Sequence, residues 1–228
     1  MTSFDVLCLD MAGTTVRDDN TVIEAFAAAI GSQSPLARDY HSAMQYARAT
    51  MGQSKIEVFR HIFGTEAAAR AANAAFEKHY AGAVAAGEIA PVPGSEELFA
   101  ACRAAGTKVC LTTGFSALTR DAIIAALGWA PLVDLVLSPA DAGRGRPWPD
   151  LPLTALLRLG GGAVSSLAVA GDTPADIESG LRAGAGLVAG VLSGDSQRAE
   201  LEAVPAATGL PGAPVILDSV AGLLPLLA

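Results

Sequence analysis

The fold of this chain is decided by a stretch near its N-terminus, Phe4-Asp5-Val6-Leu7-Cys8-Leu9-Asp10-Met11-Ala12-Gly13-Thr14-Thr15. Its first half is a mostly apolar run, which is typical of a strand buried on both faces of a parallel sheet. The run ends on Asp10, and Gly13 then breaks it. Because ligands of open α/β sheets gather at the carboxyl ends of the strands, Asp10 lies where a nucleophile or a metal ligand is expected. A single Asp after a strand is also a common turn residue.

Size and charge narrow the classes of protein to consider. The chain has 228 residues, of which 51% are hydrophobic and 17% charged. That composition allows a sizeable core, in one domain with an insertion or in one large and one small domain. The net charge of −8 and the lack of a basic patch argue against a nucleic-acid surface.

Cysteine usage and hydropathy bear on the compartment. Three cysteines cannot all pair, and Cys8 and Cys110 lie in apolar runs, so free thiols in a reducing compartment are expected. No apolar run reaches membrane-spanning length, and no basic segment precedes an apolar one at the N-terminus. These features predict a soluble cytoplasmic protein without a membrane partner.

From residue 89 onward the pattern alternates between helices and strands. Predicted helices cover 95–105, 117–127, 150–159, 174–184 and 220–227, and predicted strands cover 108–112, 132–137, 166–170, 187–192 and 214–217. This alternation predicts an α/β fold with a doubly wound parallel sheet, to which residues 4–9 contribute the first strand.

Residues 18–88 carry helical patterns and no strand candidate. Helix starts are predicted at the Thr21–Glu24 capping box, at Ser34-Pro35, at Ser54 and at Thr65, and Gly31 is expected to stop the first helix. The block must be an insertion after the first strand, and such an all-helical cap can cover the strand ends and exclude water. The predicted division is therefore a core of 1–17 and 89–228 and a cap domain of 18–88. The Ala- and Met-rich cap helices also suggest a homodimer through the cap.

Four motifs occur in the order of a known superfamily. They are Asp10-x-x-Gly13-Thr14, Leu111-Thr112-Thr113-Gly114, Gly145-Arg146-Pro147 and Gly171-Asp172-Thr173-x-x-Asp176. Over nearly its whole length the chain resembles the haloacid dehalogenase superfamily, which implies a Rossmann-like core with a helical cap. Ala12 stands where most members have a second Asp, and Arg146 where most have Lys. Both substitutions resemble the phosphonoacetaldehyde hydrolase (phosphonatase) branch.

The resemblance implies a Mg²⁺ site. A carboxylate that attacks a phosphonate dianion meets like-charge repulsion, so a divalent cation is needed, and hard oxygen ligands suit Mg²⁺. The family pattern makes Asp10 both nucleophile and ligand and adds Asp172, the backbone oxygen of Ala12 and Asp176. Asp176 is equally well explained as a first-turn residue of a helix capped by Thr173.

Two motifs are expected to hold the phosphoryl group. Thr113-Gly114 follows a strand and precedes a helix, where a hydroxyl and backbone N–H groups can bind phosphoryl oxygens. Arg146 offers a forked donor to the same oxygens. Arg144 is a rival two residues earlier, although a solvated surface charge explains it equally and the family pattern selects Arg146.

The most specific hypothesis concerns Lys55. The segment Met51-Gly52-x-x-Lys55 resembles the phosphonatase cap segment whose Lys forms a Schiff base with the substrate aldehyde. A lone Lys on a helix is usually a solvated charge, but the dipole disfavours a cation in the first turn, which favours a neutral, nucleophilic amine. An iminium turns the carbanion leaving group of C–P cleavage into an enamine, which needs no acid at position 12.

Two departures from the phosphonatase pattern keep alternatives open. Val58 stands where phosphonatase has a His, for which His61 is a candidate substitute, and Phe115 stands where it has a Tyr. The leading hypothesis is a Mg²⁺-dependent hydrolase of phosphonoacetaldehyde or a related 2-oxoalkylphosphonate. The alternatives are a phosphomonoesterase acting on a small phosphorylated metabolite, a dehalogenase without need of Asp172, and a non-catalytic binder of a phosphorylated ligand.

Overall fold

The core of the molecule is a six-stranded parallel sheet in the order β3-β2-β1-β4-β5-β6. The structure is a computed structural model and describes residues 4–17, 19–33 and 39–227. The strands are β1 (Val6–Asp10), β2 (Lys108–Thr112), β3 (Leu135–Leu137), β4 (Leu167–Gly171), β5 (Leu187–Val191) and β6 (Val215–Leu217). The order reverses at β1, so the carboxyl end of β1 lies at the topological switch point of the sheet.

The first strand is central and buried on both faces. Cys8 pairs with Cys110 of β2 on one side and with Val169 of β4 on the other. Leu7 and Leu9 belong to the larger hydrophobic core, whereas Val6 and Cys8 belong to a second core cluster on the opposite face. This alternation explains why the strand is apolar throughout.

Helices cover both faces of the sheet and form the insertion. Among the described residues they are α1 (Thr21–Ser32), α2 (Tyr40–Ala49), α3 (Lys55–Phe63), α4 (Glu66–Ala86), α5 (Ser95–Ala105), α6 (Ala117–Leu127), α7 (Pro139–Ala142), α8 (Asp150–Arg158), α9 (Pro174–Ala183), α10 (Arg198–Thr208) and α11 (Leu224–Leu227). Within these ranges no helix is both long and apolar enough to cross a membrane. The three cysteines are buried and free.

Helices α1 to α4 form a unit of their own between β1 and α5. Phe26 of α1 packs against Phe59 of α3 and Phe76 of α4, with ring centroids 5.3 and 5.0 Å apart. The described part of this insertion contains no strand. The predicted α/β fold, with a doubly wound sheet and an inserted all-helical cap, is confirmed. The division at residues 18 and 88 stays a prediction.

Several predicted element boundaries were wrong. Helix α1 begins at Thr21, but its N-cap is Asn20 in the left-handed region, and no side chain caps it. The helix also continues through Gly31, because nothing there forces a positive φ. The helix start predicted at Ser34-Pro35 lies outside the described residues. Helix α10 was not predicted; it contains Pro205 in its interior, a residue type that disfavours helices.

Candidate active site

The carboxyl ends of the central strands open into a cavity of about 430 Å³. Asp10 ends β1, Thr113 follows β2 and Asp172 follows β4. All three side chains line the cavity. Its opposite wall comes from the insertion, which contributes Gly52 and Lys55. The structure therefore brings the predicted core and cap residues to one space.

Three carboxylates converge at this end of the sheet. Asp10, Asp172 and Asp176 are 5%, 6% and 3% exposed, and each offers an oxygen within 4.8 Å of the others. Thr14 donates its hydroxyl hydrogen to Asp172 Oδ1 over 2.9 Å. The arrangement concentrates negative charge where water is largely excluded.

Burial and mutual repulsion raise the pKa values of two of these carboxyls. Burial raises the pKa of Asp10 to about 7; the charge of Asp176 acts in the same direction, and Arg146 opposes it. Burial, reinforced by the charges of Asp10 and Asp176, raises the pKa of Asp172 well above its ordinary value. Ionisation of either carboxyl therefore costs free energy in this buried site.

Arg146 is the counter-charge of the cluster. Its Nη1 donates to Oδ1 of Asp10 and to Oδ1 of Asp176. Burial alone would lower the pKa of the guanidinium, but the two carboxylates raise it above the ordinary Arg value. Nε and Nη2 are buried and make no hydrogen bond with any described residue. Two donors of the fork are therefore unused, as a site for additional oxygen acceptors requires.

Asp176 combines the two roles that the sequence left open. Its Oδ2 accepts hydrogen bonds from the backbone N–H of Thr173, over 3.1 Å, and from the Thr173 hydroxyl, over 2.5 Å. Thr173 Oγ1 in turn accepts from the backbone N–H of Asp176, which completes a capping box at the start of α9. Asp176 therefore caps helix α9, and the same carboxylate also belongs to the acidic cluster.

The composition of the cluster fits a divalent cation. Three buried carboxylates face one guanidinium, so the charge is far from balanced by the described residues. Glycines surround Asp172: a Cβ on Gly13, whose φ is +83°, would lie 2.5 Å from Asp172 Oδ2, and one on Gly194 would lie 2.0 Å from it. Oxygen donors at this density suit Mg²⁺. Ala12, whose backbone oxygen was the fourth predicted ligand, lines the cavity.

The loop after β2 joins the core to the insertion. The Thr113 hydroxyl accepts a hydrogen bond from the backbone N–H of Phe115, over 3.2 Å. The carbonyl of Gly114 accepts one from the backbone N–H of Lys55, over 3.2 Å. A Cβ on Gly114 would lie 2.3 Å from the carbonyl oxygen of Gln53, so this contact requires glycine. The insertion is docked on the core through this loop.

Lys55 is buried and lines the cavity. It is the first residue of α3 after the N-cap Ser54, as predicted, although no side chain caps the helix. Its side chain is 7% exposed, and Nζ lies 5.4 Å from the ring centroids of both Phe26 and Phe115. A solvated surface charge is therefore excluded. Gly52, with φ +82°, turns the preceding loop against Thr173.

Other candidates lie away from this space. The ring of His61 stacks on Tyr46 at 3.9 Å and does not line the cavity, so His61 does not replace the histidine of the phosphonatase pattern. Val58 is buried in the hydrophobic core. Arg144 is exposed and pairs with Asp150 over 2.8 Å, which supports its interpretation as a surface charge.

Sequence reasoning missed two features of the site. Thr14 lies in the quoted stretch, but its bond to Asp172 joins residues far apart in the chain. Gly194 and the cap residue Arg48 line the same cavity and belong to none of the motifs. A glycine in the loop that follows β5 was the available signal for Gly194.

Comparisons with known proteins agree with the motifs. A family model described as a haloacid dehalogenase-like hydrolase matches residues 4–184. Phosphonoacetaldehyde hydrolases from Bacillus cereus and Bacillus thuringiensis (strain Al Hakam) are each 34% identical over 110 residues, or 47% of this chain and 40% of theirs. The chain thus matches about two-fifths of the length of these curated relatives.

Solved structures agree on the fold. A hydrolase from Pseudomonas syringae has a TM-score of 0.82 at 23% identity, covering 100% of this chain and 98% of that one. A phosphonoacetaldehyde hydrolase-like protein from Oleispira antarctica has a TM-score of 0.75 at 25% identity, covering 98% and 91%. A predicted phosphoglycolate phosphatase from Haemophilus somnus 129pt has a TM-score of 0.77 at 18% identity, covering 100% of both chains.

The sheet order, the motifs at its strand ends and the inserted helices all lead to the same assignment. Since the family model spans residues 4–184, most of the 228-residue chain, this protein belongs to the haloacid dehalogenase-like hydrolases.

Proposed function

We propose that this hydrolase cleaves the C–P bond of phosphonoacetaldehyde or a related 2-oxoalkylphosphonate. The observation that carries the proposal is the pairing of Asp10 and Lys55 across one cavity, with Ala at position 12. A carboxylate and a buried amine that face the same space can act on the two ends of a short substrate. The matches to phosphonoacetaldehyde hydrolases at 34% identity support the same reaction.

Asp10 is the phosphoryl acceptor in this proposal. Its carboxylate attacks phosphorus and forms an aspartyl phosphate, which water then hydrolyses to release inorganic phosphate. Arg146 orients Asp10 through Nη1, and its unused Nε and Nη2 are available to phosphoryl oxygens. The Thr113 hydroxyl and the backbone N–H of Gly114 hold the remaining oxygens.

A Mg²⁺ ion, held by Asp10, Asp172, the backbone oxygen of Ala12 and Asp176, would offset the repulsion between the attacking carboxylate and the phosphonate dianion. Without such a cation the cluster keeps its raised pKa values, and a protonated Asp10 cannot attack. The protein's own contribution is to keep these oxygens close together and to exclude water from them.

Lys55 acts on the carbon half of the substrate. Its neutral amine adds to the carbonyl, and loss of water with uptake of a proton gives a protonated imine (iminium) at C2. When the C–P bond breaks, its electron pair enters the C1–C2 bond and gives an enamine, which is then protonated on carbon and hydrolysed to the aldehyde or ketone. This route needs no acid to protonate a leaving alcohol, and none is present at position 12.

Reductive trapping tests this mechanism directly. Borohydride added with phosphonoacetaldehyde should join the substrate's carbon skeleton to the peptide that contains Lys55, as read by mass spectrometry. Lys55→Arg should abolish both the adduct and phosphate release, because a guanidinium forms no imine. Lys78→Arg, an exposed lysine on α4, is the matched control and should change neither.

The outcomes separate the alternatives. Phosphate release from p-nitrophenyl phosphate but not from phosphonoacetaldehyde would make the protein a phosphomonoesterase. Full activity after EDTA treatment would point to dehalogenase-type chemistry. Phosphonate binding without turnover of any compound would leave a non-catalytic binder.

A further inference from the structure

The cavity extends beyond the residues that the proposed reaction uses. Arg48, near the end of α2, lines it together with Lys55, and these are the only Lys or Arg side chains that do so among the described residues. Arg48 is exposed, and it also lines a neighbouring surface cavity between α1 and α2. A second basic residue thus lies at the border of the space that holds Asp10.

The charge of Arg48 is not used to hold the structure together. In the part of the chain that the structure describes, its guanidinium forms no ion pair and no side-chain hydrogen bond. Besides Asp10 and Asp172, three acidic residues line the same cavity from the core side, Glu178, Asp195 and Glu200. Glu178 instead pairs with Arg182 over 2.6 Å, and Glu200 caps α10.

A latch between cap and core is the simplest alternative role for Arg48. The cap is already docked, since the N–H of Lys55 bonds to the carbonyl of Gly114 and Gly52 lies against Thr173. Even so, Arg48 pairs with none of the three acidic residues across the cavity. Since the contact is not made even with the cap docked, a latch between cap and core does not explain the position of Arg48.

We infer that Arg48 binds a carboxylate at the end of the substrate opposite the phosphonate. The inference rests on the proposed function for the reaction itself, and it narrows the substrate class to 2-oxoalkylphosphonates that carry a carboxylate. Arg is the residue best suited to this group, because its planar fork matches the two carboxylate oxygens. The phosphonate lies at Asp10, the carbonyl at Lys55 and the carboxylate at Arg48.

Binding of uncleavable analogues tests the inference apart from the reaction. 3-Phosphonopropanoate and ethylphosphonate differ by one carboxylate, and neither has a carbonyl for Lys55 to attack. Calorimetry with Mg²⁺ should find the carboxylated compound bound at least about tenfold more tightly, the size of one charge-assisted contact. 4-Phosphonobutanoate and propylphosphonate repeat the comparison at a longer chain length.

Arg48→Ala should erase the preference for the carboxylated member of each pair, and Arg48→Lys should restore part of it. Arg70→Ala removes an exposed cap arginine that pairs with Glu66, and it should leave the preference intact. The inference would be overturned if the wild-type protein bound both members of each pair equally. It would also be overturned if the preference for the carboxylated compound survived in Arg48→Ala.

Turnover is measured separately, as phosphate release from 3-phosphonopyruvate and phosphonoacetaldehyde. We expect kcat/KM to be higher for 3-phosphonopyruvate than for phosphonoacetaldehyde. The ratio of the two values should fall about tenfold or more in Arg48→Ala. Release from neither compound, with the carboxylate preference in binding retained, would refute the proposed C–P cleavage and leave the Arg48 site standing. Release from phosphonoacetaldehyde without any carboxylate preference would support C–P cleavage and refute the Arg48 site.

Discussion

Asp10 carries two separable properties, a nucleophilic oxygen and a buried charge. Asp10→Asn removes both and should lower turnover below about a hundredth of wild type, at least the loss that removing a general acid or base causes, because an amide cannot attack phosphorus. The same change relieves repulsion with Asp172 and Asp176, so the metal-free variant should melt at a higher temperature than wild type at pH 8. A phosphate-release assay and a thermal melt check the two effects independently. Retained activity with a raised melting temperature would assign Asp10 an electrostatic role only.

Arg146 links two carboxylates through one nitrogen and keeps two donors unused. Arg146→Lys replaces this fork with a point charge that cannot satisfy Asp10, Asp176 and a phosphoryl group together. We expect KM for the phosphonate to rise about tenfold, the value of one charge-assisted hydrogen bond. Steady-state kinetics provide the measurement, and Arg144→Lys, at an exposed pair with Asp150, is the control. Equal kinetics in both variants would count against a role for Arg146 at the substrate.

At the scale of elements, the contact between the loop after β2 and the start of α3 depends on a missing side chain. Gly114→Ala would place a Cβ 2.3 Å from the backbone carbonyl oxygen of Gln53, which is too close for the present docking. The variant should lose activity at least about tenfold by displacing Lys55 from the cavity. It should also speed limited proteolysis of the 50–54 loop.

Gly31→Ala is the control for Gly114→Ala. Gly31 lies inside α1, and a Cβ there would meet nothing within 4 Å. Replacing a helix-interior glycine with alanine should stabilise the protein by about 0.5–1 kcal/mol and leave activity unchanged. A comparable loss of activity in both variants would mean that the loss in Gly114→Ala does not come from the contact with Gln53.

At the scale of the whole molecule, the acidic cluster links stability to pH. The pKa of Asp10 is about 7 in the folded protein and lies near 4 in an unfolded chain, so the folded state binds more protons between these values. The free energy of unfolding of the metal-free protein should therefore fall as pH rises from about 4 to about 7. Asp172 acts in the same direction.

Mg²⁺ should cancel this loss, because it binds the deprotonated carboxylates. Its effect on the melting temperature should be small at pH 5 and should grow to several degrees at pH 8. Melts at matched ionic strength, with NaCl in place of MgCl₂, provide the control. A Mg²⁺ effect that is constant across this range would mean that the ion binds elsewhere.

The sequence predicted the features that short local patterns determine and missed those that depend on contacts between distant segments. The strand at 6–10, the alternation after residue 89 and the placement of Lys55 in the first turn of α3 follow from short patterns, and the structure agrees with them. The position of Arg48 at the cavity could not be predicted, because nothing near it in sequence indicates that the end of α2 lies close to the strand ends. The boundaries of the cap domain and the homodimer through the cap stay predictions.

The hydrogen bond between Lys55 and Gly114 has a consequence for selectivity in a mixture of metabolites. Lys55 lies on the inserted helices and Asp10 at the end of β1, and this bond is where the two parts of the chain meet. In the proposed mechanism, an aldehyde without a phosphonate lacks the group that would contact Asp10 and Arg146. The proposed enzyme would therefore carry a reactive lysine without being sequestered by every small carbonyl compound that it encounters.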